Sequence, residues 1–574
     1  MQKSYHIPSK KILNRVKKQL VEAMMYEGLI KYDEVSNGVF HLYGKKRTYC
    51  CNGRRSAFDR IRLNEASILQ LLPDDQEKEV TIDELLKECT NDEHVYKRVY
   101  HELSQTIKLC EWNEKHLTLP LSRRHSNYEE LESEVVEGHP YHPCFKSRTG
   151  FTLDDHKAYG PEAKQNFTLK WTAAKRNNVH VSLLEDEQNF WKRELGEDMW
   201  HELNEQLTQA GATFEEYTFL PIHPWQWQSL YPQVAHLLAT GELILLSVSD
   251  KGDQYRATQS VRTLWNQSNP NKAYLKLPMN MVNTSSLRTI SSPSICAAPF
   301  ISEWLEKVLQ SDPYLAHEAA LVMLKEYAGI SVEFKESSKL HGQLGVIWRE
   351  SIRTYMNQDE EAVPFTALMM IEQDGQLFID NWLTQYGVEN WVERLVEVCV
   401  VPVWHLLVAH GIAIEAHAQN MILLHRNGWP TRIVLRDFHE SMEYTNEFVS
   451  DSRLVPDFEK IHKEYRNAPA DHYYWMSSVE ALRELVMDTL FVFHLSELAY
   501  LLEEKTSLNE ELFWKKIKMA ISNHFKKHPG LQERHQKIEY AKPDIYVESL
   551  VTKKLQNEQK EYRHLVKNVF SQIN

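Results

Sequence analysis

Glycine-rich nucleotide loops are missing from this chain of 574 residues. Neither GxxxxGKS/T nor GxGxxG occurs, so neither a P-loop ATPase nor a dinucleotide fold is supported. No GxSxG elbow marks a hydrolase. A cationic surplus is missing too: 66 Lys+Arg against 80 Asp+Glu give a formal charge of -14, which argues against a nucleic-acid partner and leaves room only for local basic pockets. Cysteine is sparse, with seven residues that include the adjacent pair Cys50 and Cys51 and show no CxxC spacing. That pattern excludes a disulfide framework, makes structural zinc a poor fit and favours reduced thiols in the cytoplasm. The N-terminus has no apolar signal core. The most hydrophobic run, 398–409, is broken by Pro402 and His405 and is too short to cross a bilayer, so no membrane partner is expected.

A hydrophobic content of 42% supports a large core, and the length predicts two to four domains. Residues 1–137 read as mainly helical with some strand, including a charged connection near Pro73. They close on an acidic stretch, NYEELESEVVEG, expected as an exposed boundary helix or linker. Residues 138–380 read as α+β, with strands at 216–221, 243–248 and 274–281 and helices at 190–210 and 315–326. Residues 381–574 read as a helix at 391–410, a hairpin, and a helix-rich tail with a long amphipathic helix at 478–504.

The densest chemistry lies at 411–441, GIAIEAHAQNMILLHRNGWPTRIVLRDFHES. The pair Asn427 and Gly428 is a strong turn signal between two apolar runs and predicts a β-hairpin. A four-residue loop sets Asn420 opposite Asp437, and a two-residue loop sets Ala418 there. Either register brings Asp437 beside Glu415, His417, Gln419 and Asn420, where hard oxygen ligands could hold magnesium against substrate phosphates. The same residues also fit a solvated strand end, although a sheet interior would want neither Arg436 nor Asp437.

Three further segments carry polar chemistry. In 138–150, GHPYHPCFKSRTG, proline keeps the chain extended, and Lys146 and Arg148 face one way. They suit an anionic ligand or a charged surface loop. Zinc at His139 and His142 lacks a third ligand. In 276–289, KLPMNMVNTSSLRT, a strand enters a hydroxyl-rich turn before Arg288 and Thr289. That turn suits phosphate, or Ser285 or Ser286 serves as a helix cap. In VIWRE, Arg349 either reaches a buried anion or bridges to Glu350. His223, among the aromatics of PIHPWQWQ, is expected to pack.

Taken in order and spacing, GHPYHPCFKSRTG, KLPMNMVNTSSLRT, VIWRE, EAHAQN and LRDFHES resemble the siderophore synthetases that work independently of non-ribosomal peptide synthetases, typified by aerobactin synthetase. The resemblance runs from about Gly138 onward. It implies an α+β cupped hand of thumb (1–137), fingers (138–380) and palm (381–574), with a kinase-like ATP-binding palm. It also implies ATP and Mg2+ as cofactors, a homodimer, and adenylation of a citrate carboxylate followed by transfer to an amine, releasing AMP and pyrophosphate.

Matched by motif, Ser286, Arg288 and Thr289 are expected at the ATP phosphates with Lys146 and Arg148, and Arg349 near the α-phosphate. His417 and Asn420 are expected at nucleotide and substrate, His142 and Gln419 at the carboxylate substrate, and Glu415 with Asp437 at magnesium. The EAHAQN form resembles members that act on free citrate or a dicarboxylate, whereas the Phe438 and His439 continuation departs from relatives with a polar or glycine-containing one.

This division answers an electrostatic need. ATP and citrate are both strongly anionic, so joining them requires Lys146, Arg148, Arg288, Arg349 and magnesium as counter-charges within an acidic protein. The amine step needs a proton acceptor, for which His417 is the candidate. A kinase-like phosphotransferase yielding ADP, or a non-catalytic citrate or siderophore binder, are the alternatives.

Overall fold

The computed structural model describes residues 9–73, 76–118, 120–247, 252–334, 337–556 and 560–573. Strand pairing groups the α+β chain into several sheets. Residues 31–79 form a six-stranded antiparallel sheet flanked by the helices Lys10–Tyr26, Ile82–Cys89 and Glu93–His116. Two of these helices are capped as their sequences require: Thr81 and Glu84 make a reciprocal capping box, and Asp92 accepts from the amides of His94 and Val95.

A second six-stranded sheet carries most of the middle of the chain, in the order Tyr255–Ala257, Thr263–Asn266, Tyr274–Lys276, Gly345–Arg349, Glu326–Val332, Val179–Leu183. The long helix Ser292–Ser311 lies against it. Close approach explains Gly329, where a Cβ would stand 2.3 Å from the Ile295 carbonyl oxygen. A smaller sheet joins Leu243–Leu246, Lys170–Lys175 and Tyr217–Ile222, which meets the expected strands there. Val248 lies outside the described residues.

The hairpin sheet has four strands, Val322–Met323, Trp429–Leu435, Met421–Arg426 and Glu361–Pro364. It therefore draws on both sides of residue 380. Residues 315–326 are not the expected helix: Tyr314–Glu318 makes one π turn, Val322–Met323 pairs in parallel with Val434 and Leu435, and Glu326 opens a strand. The segment is rich in helix formers, but pairing with a central strand overrides that propensity.

Other expectations shift less. The helix at 190–210 is two, Glu187–Leu195 and Glu197–Gln209, divided at Gly196. The strand expected at 274–281 stops at Lys276. Residues 388–410 form one helical run in which π turns at Val396–Val400 and Leu406–His410 alternate with α segments, which lets Pro402 sit at the first turn of a segment. The acidic helix Tyr128–Glu134 is buried, because cations reach its carboxylates: Arg353 bonds Glu129, Arg436 bonds Glu132 and Lys164 bonds Glu134.

The main hydrophobic cluster runs from Ile12 to Ile573 and joins the first helix to the residues after 363, while a second cluster fills 169–348. Val479–Lys505 is long and apolar enough to cross a membrane by length and composition, but most of it is buried in the main cluster. All seven cysteines are free thiols.

Candidate functional site

The hairpin forms as expected and begins in the two-residue register, but a bulge then shifts it to one that was not considered. Asn427 and Gly428 both take positive φ (49° and 86°) in a two-residue turn, and a Cβ on Gly428 would stand 2.1 Å from the Trp382 indole. Arg426 pairs with Trp429 and His425 with Pro430, after which a bulge at Thr431 shifts the ladder so that Leu424 pairs with Arg432 and Met421 with Leu435. Continuing this register sets Asn420 opposite Arg436, whose amide donates to the Asn420 carbonyl at 3.0 Å. The two-residue turn alone would set Asn420 opposite Leu435; the extra residue moves its partner on to Arg436, one short of Asp437.

Arg436 and Asp437 then diverge. Arg436 is a buried structural cation, donating to Glu132 at 2.6 Å and to the Gln419 carbonyl at 2.8 Å. Asp437 leaves the strand at φ 66°, a left-handed conformation uncommon for a non-glycine residue. Its Oδ1 accepts from Lys276 Nζ at 3.0 Å and Arg349 Nη1 at 2.9 Å. Burial alone would raise the Asp437 carboxyl, but Lys276, Arg349 and Arg436 hold it well below the usual carboxylate range.

Glu326, fully buried, braces the next turn. It accepts from the amides of Phe438 (3.1 Å) and His439 (3.0 Å) and bonds His439 Nδ1 at 2.7 Å. Arg349 therefore serves Asp437 rather than Glu350, which pairs with Lys325.

The loop 415–420 faces the same region. The Glu415 amide donates to the Ser441 carbonyl at 2.9 Å, tying the two ends of the motif together. Glu415 and His417 are half-exposed and 3.6 Å apart. Asn420 is buried and spends its side-chain amide on the Glu415 carbonyl (3.0 Å), and His417 Nδ1 accepts from the Gln419 amide (3.1 Å). The side-chain group that gathers around Asp437 is Glu326 and His439, with ligating atoms within 4.8 Å of one another; Glu415 is not in it.

The two remaining motifs dock on each other. Thr149 N donates to the Val282 carbonyl (3.0 Å), and Val282 N donates to Thr149 Oγ1 (2.7 Å). Val282–Asn283 and Ser286–Leu287 form a small hairpin whose turn holds Thr284 at φ 60°, strained for a β-branched residue. Ser286 is exposed on it and Thr289 half-buried; the helix cap nearby is Ser291, not Ser285 or Ser286. Arg288 anchors one arm to the Asn283 carbonyl (2.7 Å), and burial with the nearby Arg262 pushes its guanidinium down to about 10, still cationic at neutral pH.

Lys146 and Arg148 do face one way, but inward. Both bond the buried Glu162, Arg148 through two contacts of 2.8 Å, and are themselves buried. The anion they meet is the chain's own. Burial would raise the Glu162 carboxyl, yet Arg148 and Lys146 hold it well below its ordinary 4.5. His142 and His139 accept backbone amides through Nδ1, the former from Cys144 and the latter from Tyr141 and His142, which makes them turn-makers rather than a zinc pair.

His142 Nε2, Arg288 Nε and Arg349 Nε are buried without a hydrogen-bond partner. Buried donors left open are costly unless a ligand satisfies them. Arg288 lies within electrostatic reach of Arg262, Glu440 and Glu415, and Lys276 within reach of Asp437, Arg262 and Glu326. Sequence reasoning missed Lys276, Arg262, Glu326 and His439 as members of this charged group. A lone glutamate opening the apolar strand EYAGISV was the available signal for Glu326, hidden by reading 315–326 as helix.

Comparison with known proteins follows this geometry. A profile described as the IucA / IucC family matches residues 127–370, and one described as a ferric iron reductase FhuF-like transporter matches 389–562. The chain is 37% identical to the citryl-spermidine/3,4-dihydroxybenzoyl-citryl-spermidine:spermidine ligase of Bacillus anthracis, over 97% of this chain and 93% of that one. It is 30% identical to a 2-[(L-alanin-3-ylcarbamoyl)methyl]-3-(2-aminoethylcarbamoyl)-2-hydroxypropanoate synthase of Staphylococcus aureus, over 98% and 94%. Among solved structures, the petrobactin biosynthesis protein AsbB of B. anthracis matches with a TM-score of 0.91 at 35% identity, covering 98% of this chain and 95% of that one. The aerobactin synthetase IucC of Klebsiella pneumoniae shares the fold, with a TM-score of 0.80 at 23% identity over 93% and 95%.

Proposed function

Because the chain belongs to the IucA / IucC family of siderophore synthetases, we propose that it adenylates a carboxylate of a citrate-type acid with ATP and joins it to an amine. A carboxylate oxygen attacks the α-phosphorus and pyrophosphate leaves. The amine nitrogen then attacks the acyl carbon, AMP leaves, and the ammonium proton passes to a base, for which His417 beside Glu415 is the candidate. The observation that carries this reading is the cluster of cations Lys276, Arg262, Arg288 and Arg349, in which the last two keep a buried Nε without a partner. Such preorganised donors suit a developing phosphate charge.

Magnesium would be held by Asp437, whose Oδ1 takes both cations and leaves Oδ2 without a hydrogen bond among the described residues, together with Glu415. When bound, it would neutralise phosphate charge. Ser286 and Thr289 would add hydroxyls to the phosphates, Asn420 would hold the 415–420 loop in shape, and His142 and Gln419 would meet the acid. Lys146 and Arg148 would reach nucleotide only if Glu162 released them, so their part in this reading is to fix the loop that carries Thr149.

The Bacillus relative's name suggests a finer reading, a citryl conjugate as acid and a polyamine such as spermidine as acceptor, beside the free citrate expected from EAHAQN. One feature supports a cationic acceptor. Glu443, on the strand that pairs with Ile412–Ile414 just before Glu415, has its carboxyl pushed up to about 8 by burial and by the nearby Glu561. An arriving ammonium would restore its charge. The thumb, fingers and palm division, a homodimer and a cytoplasmic location complete the proposal.

The test incubates the protein with ATP, Mg2+, citrate or citryl-spermidine, and spermidine or other amines. AMP, pyrophosphate and a new amide are expected. ADP, or no turnover with any acid, would overturn the reading, and sedimentation equilibrium tests the dimer.

A further inference from the structure

A second constellation lies away from this cleft, where the helix Ser292–Ser311 ends. Ser291 caps that helix beside Arg288, and Asp312 closes it beyond twenty helical residues, about 30 Å away at 1.5 Å per residue. Asp312 Oδ2 lies 2.9 Å from His405 Nε2 and 2.7 Å from His410 Nε2. In an α-helix, residues five apart point about 140° from each other. The π turn Leu406–His410 closes that angle and brings both imidazoles to one carboxylate, and π turns recur at functional sites.

Every polar atom behind the three converging atoms is also occupied. His405 Nδ1 meets His524 Nε2 at 2.7 Å, His410 Nδ1 meets Ser450 Oγ at 3.2 Å, and Asp312 Oδ1 accepts from the amides of Tyr314 (2.9 Å) and Leu315 (3.1 Å). Such outer contacts fix ring orientation and tautomer around metals. His524 Nε2 and Ser450 Oγ can each accept a hydrogen bond from Nδ1–H, the tautomer that leaves both Nε2 lone pairs free. An anion at the carboxyl end of a long helix is also adverse to the helix dipole, so a cation there is favoured.

We infer that Asp312, His405 and His410 form a binding site for a divalent transition-metal ion of the zinc class, separate from the nucleotide cleft. Two imidazole nitrogens and one carboxylate oxygen match the three-ligand sets that bind Zn2+ or Fe2+ with a position left open. Ligands at 2.0–2.1 Å around a tetrahedral ion stand roughly 3.3 Å apart, so the two Asp312–histidine contacts of 2.9 and 2.7 Å need lengthen by only about half an ångström, and all three atoms already lie within 4.8 Å of one another. The ion would pin the end of this helix to the 388–410 run.

Co2+ titration of the full chain tests this by visible absorption. One saturable tetrahedral-type band, displaced by Zn2+, is expected. His410→Ala, at a partly exposed position, should abolish the band while leaving pyrophosphate exchange unchanged. His524→Gln should weaken binding about 10–100-fold. His462→Ala removes a member of a separate His180, Glu333, His462 group and should change nothing. Absence of a saturable band, or a band that survives His410→Ala or vanishes with His462→Ala, would overturn the assignment.

Discussion

Asp437→Asn isolates a charge at nearly constant shape, since asparagine tolerates the left-handed conformation found there. Two cations, Lys276 and Arg349, bond one oxygen at 3.0 and 2.9 Å in a site where all three side chains are largely buried. Each contact corresponds to about 5 kcal/mol of Coulomb attraction at an effective dielectric of 20, before desolvation is subtracted. Removing one partner of a buried pair typically costs about 3–5 kcal/mol. Asparagine keeps an acceptor oxygen, and Glu326 still faces Lys276, so a loss of about 2–3 kcal/mol in urea unfolding is expected. Exchange of labelled pyrophosphate into ATP, which reads adenylation alone, should fall at least ~100-fold, or about 3 kcal/mol of transition-state stabilisation. The reasoning fails if exchange stays within about threefold of wild type, or if stability is unchanged.

Arg288→Lys should behave like Arg288→Ala in pyrophosphate exchange, both down about 100-fold with unfolding midpoints near wild type, because a lysine cannot supply the guanidinium fork. Glu162→Gln leaves Lys146 and Arg148 buried without their anion and should lower stability by about 3 kcal/mol at neutral pH. Because the folded Glu162 pKa is depressed, its contribution is full above the ordinary 4.5 and fades as pH falls through the folded value, so urea midpoints of wild type and variant should converge in acid. Gly428→Ala forces a side chain into left-handed φ against Trp382 and should cost about 2–4 kcal/mol by thermal unfolding, whereas an unchanged midpoint would refute the turn geometry.

Local chemistry made part of this legible in sequence. Asn427 and Gly428 specify their turn by backbone permissiveness, and the apolar runs beside them specify strands, so the hairpin could be read directly. The bulge at Thr431 could not, because Thr431 Oγ1 is held by Glu360 and the Leu424 carbonyl, contacts that exist only once the sheet forms. Partnership across the chain hid the rest. Lys146 and Arg148 advertise an anion site until Glu162 folds back on them, and the acids of Tyr128–Glu134 look solvated until Arg436 and Arg353 arrive from far along the chain. The family-defining motifs were visible because each is contiguous, Lys276 included, whereas Arg262 and Glu326 stand outside them and join the group only when the strands pair.

The shared core of the first helix and residues 551–573 bears on how the protein is made. Glu27, buried beside that helix, has its carboxylate bonded by the amides of Val551 and Thr552 as well as by Tyr141. At ~5–20 residues per second, translation reaches those partners roughly half a minute to two minutes after Glu27 is made. Until then the apolar face of the helix Lys10–Tyr26 lacks the part of its core that residues after 550 supply, and the Glu27 carboxylate lacks three donors, the amides of Val551 and Thr552 and the Thr552 hydroxyl, so native packing here waits for a segment made late.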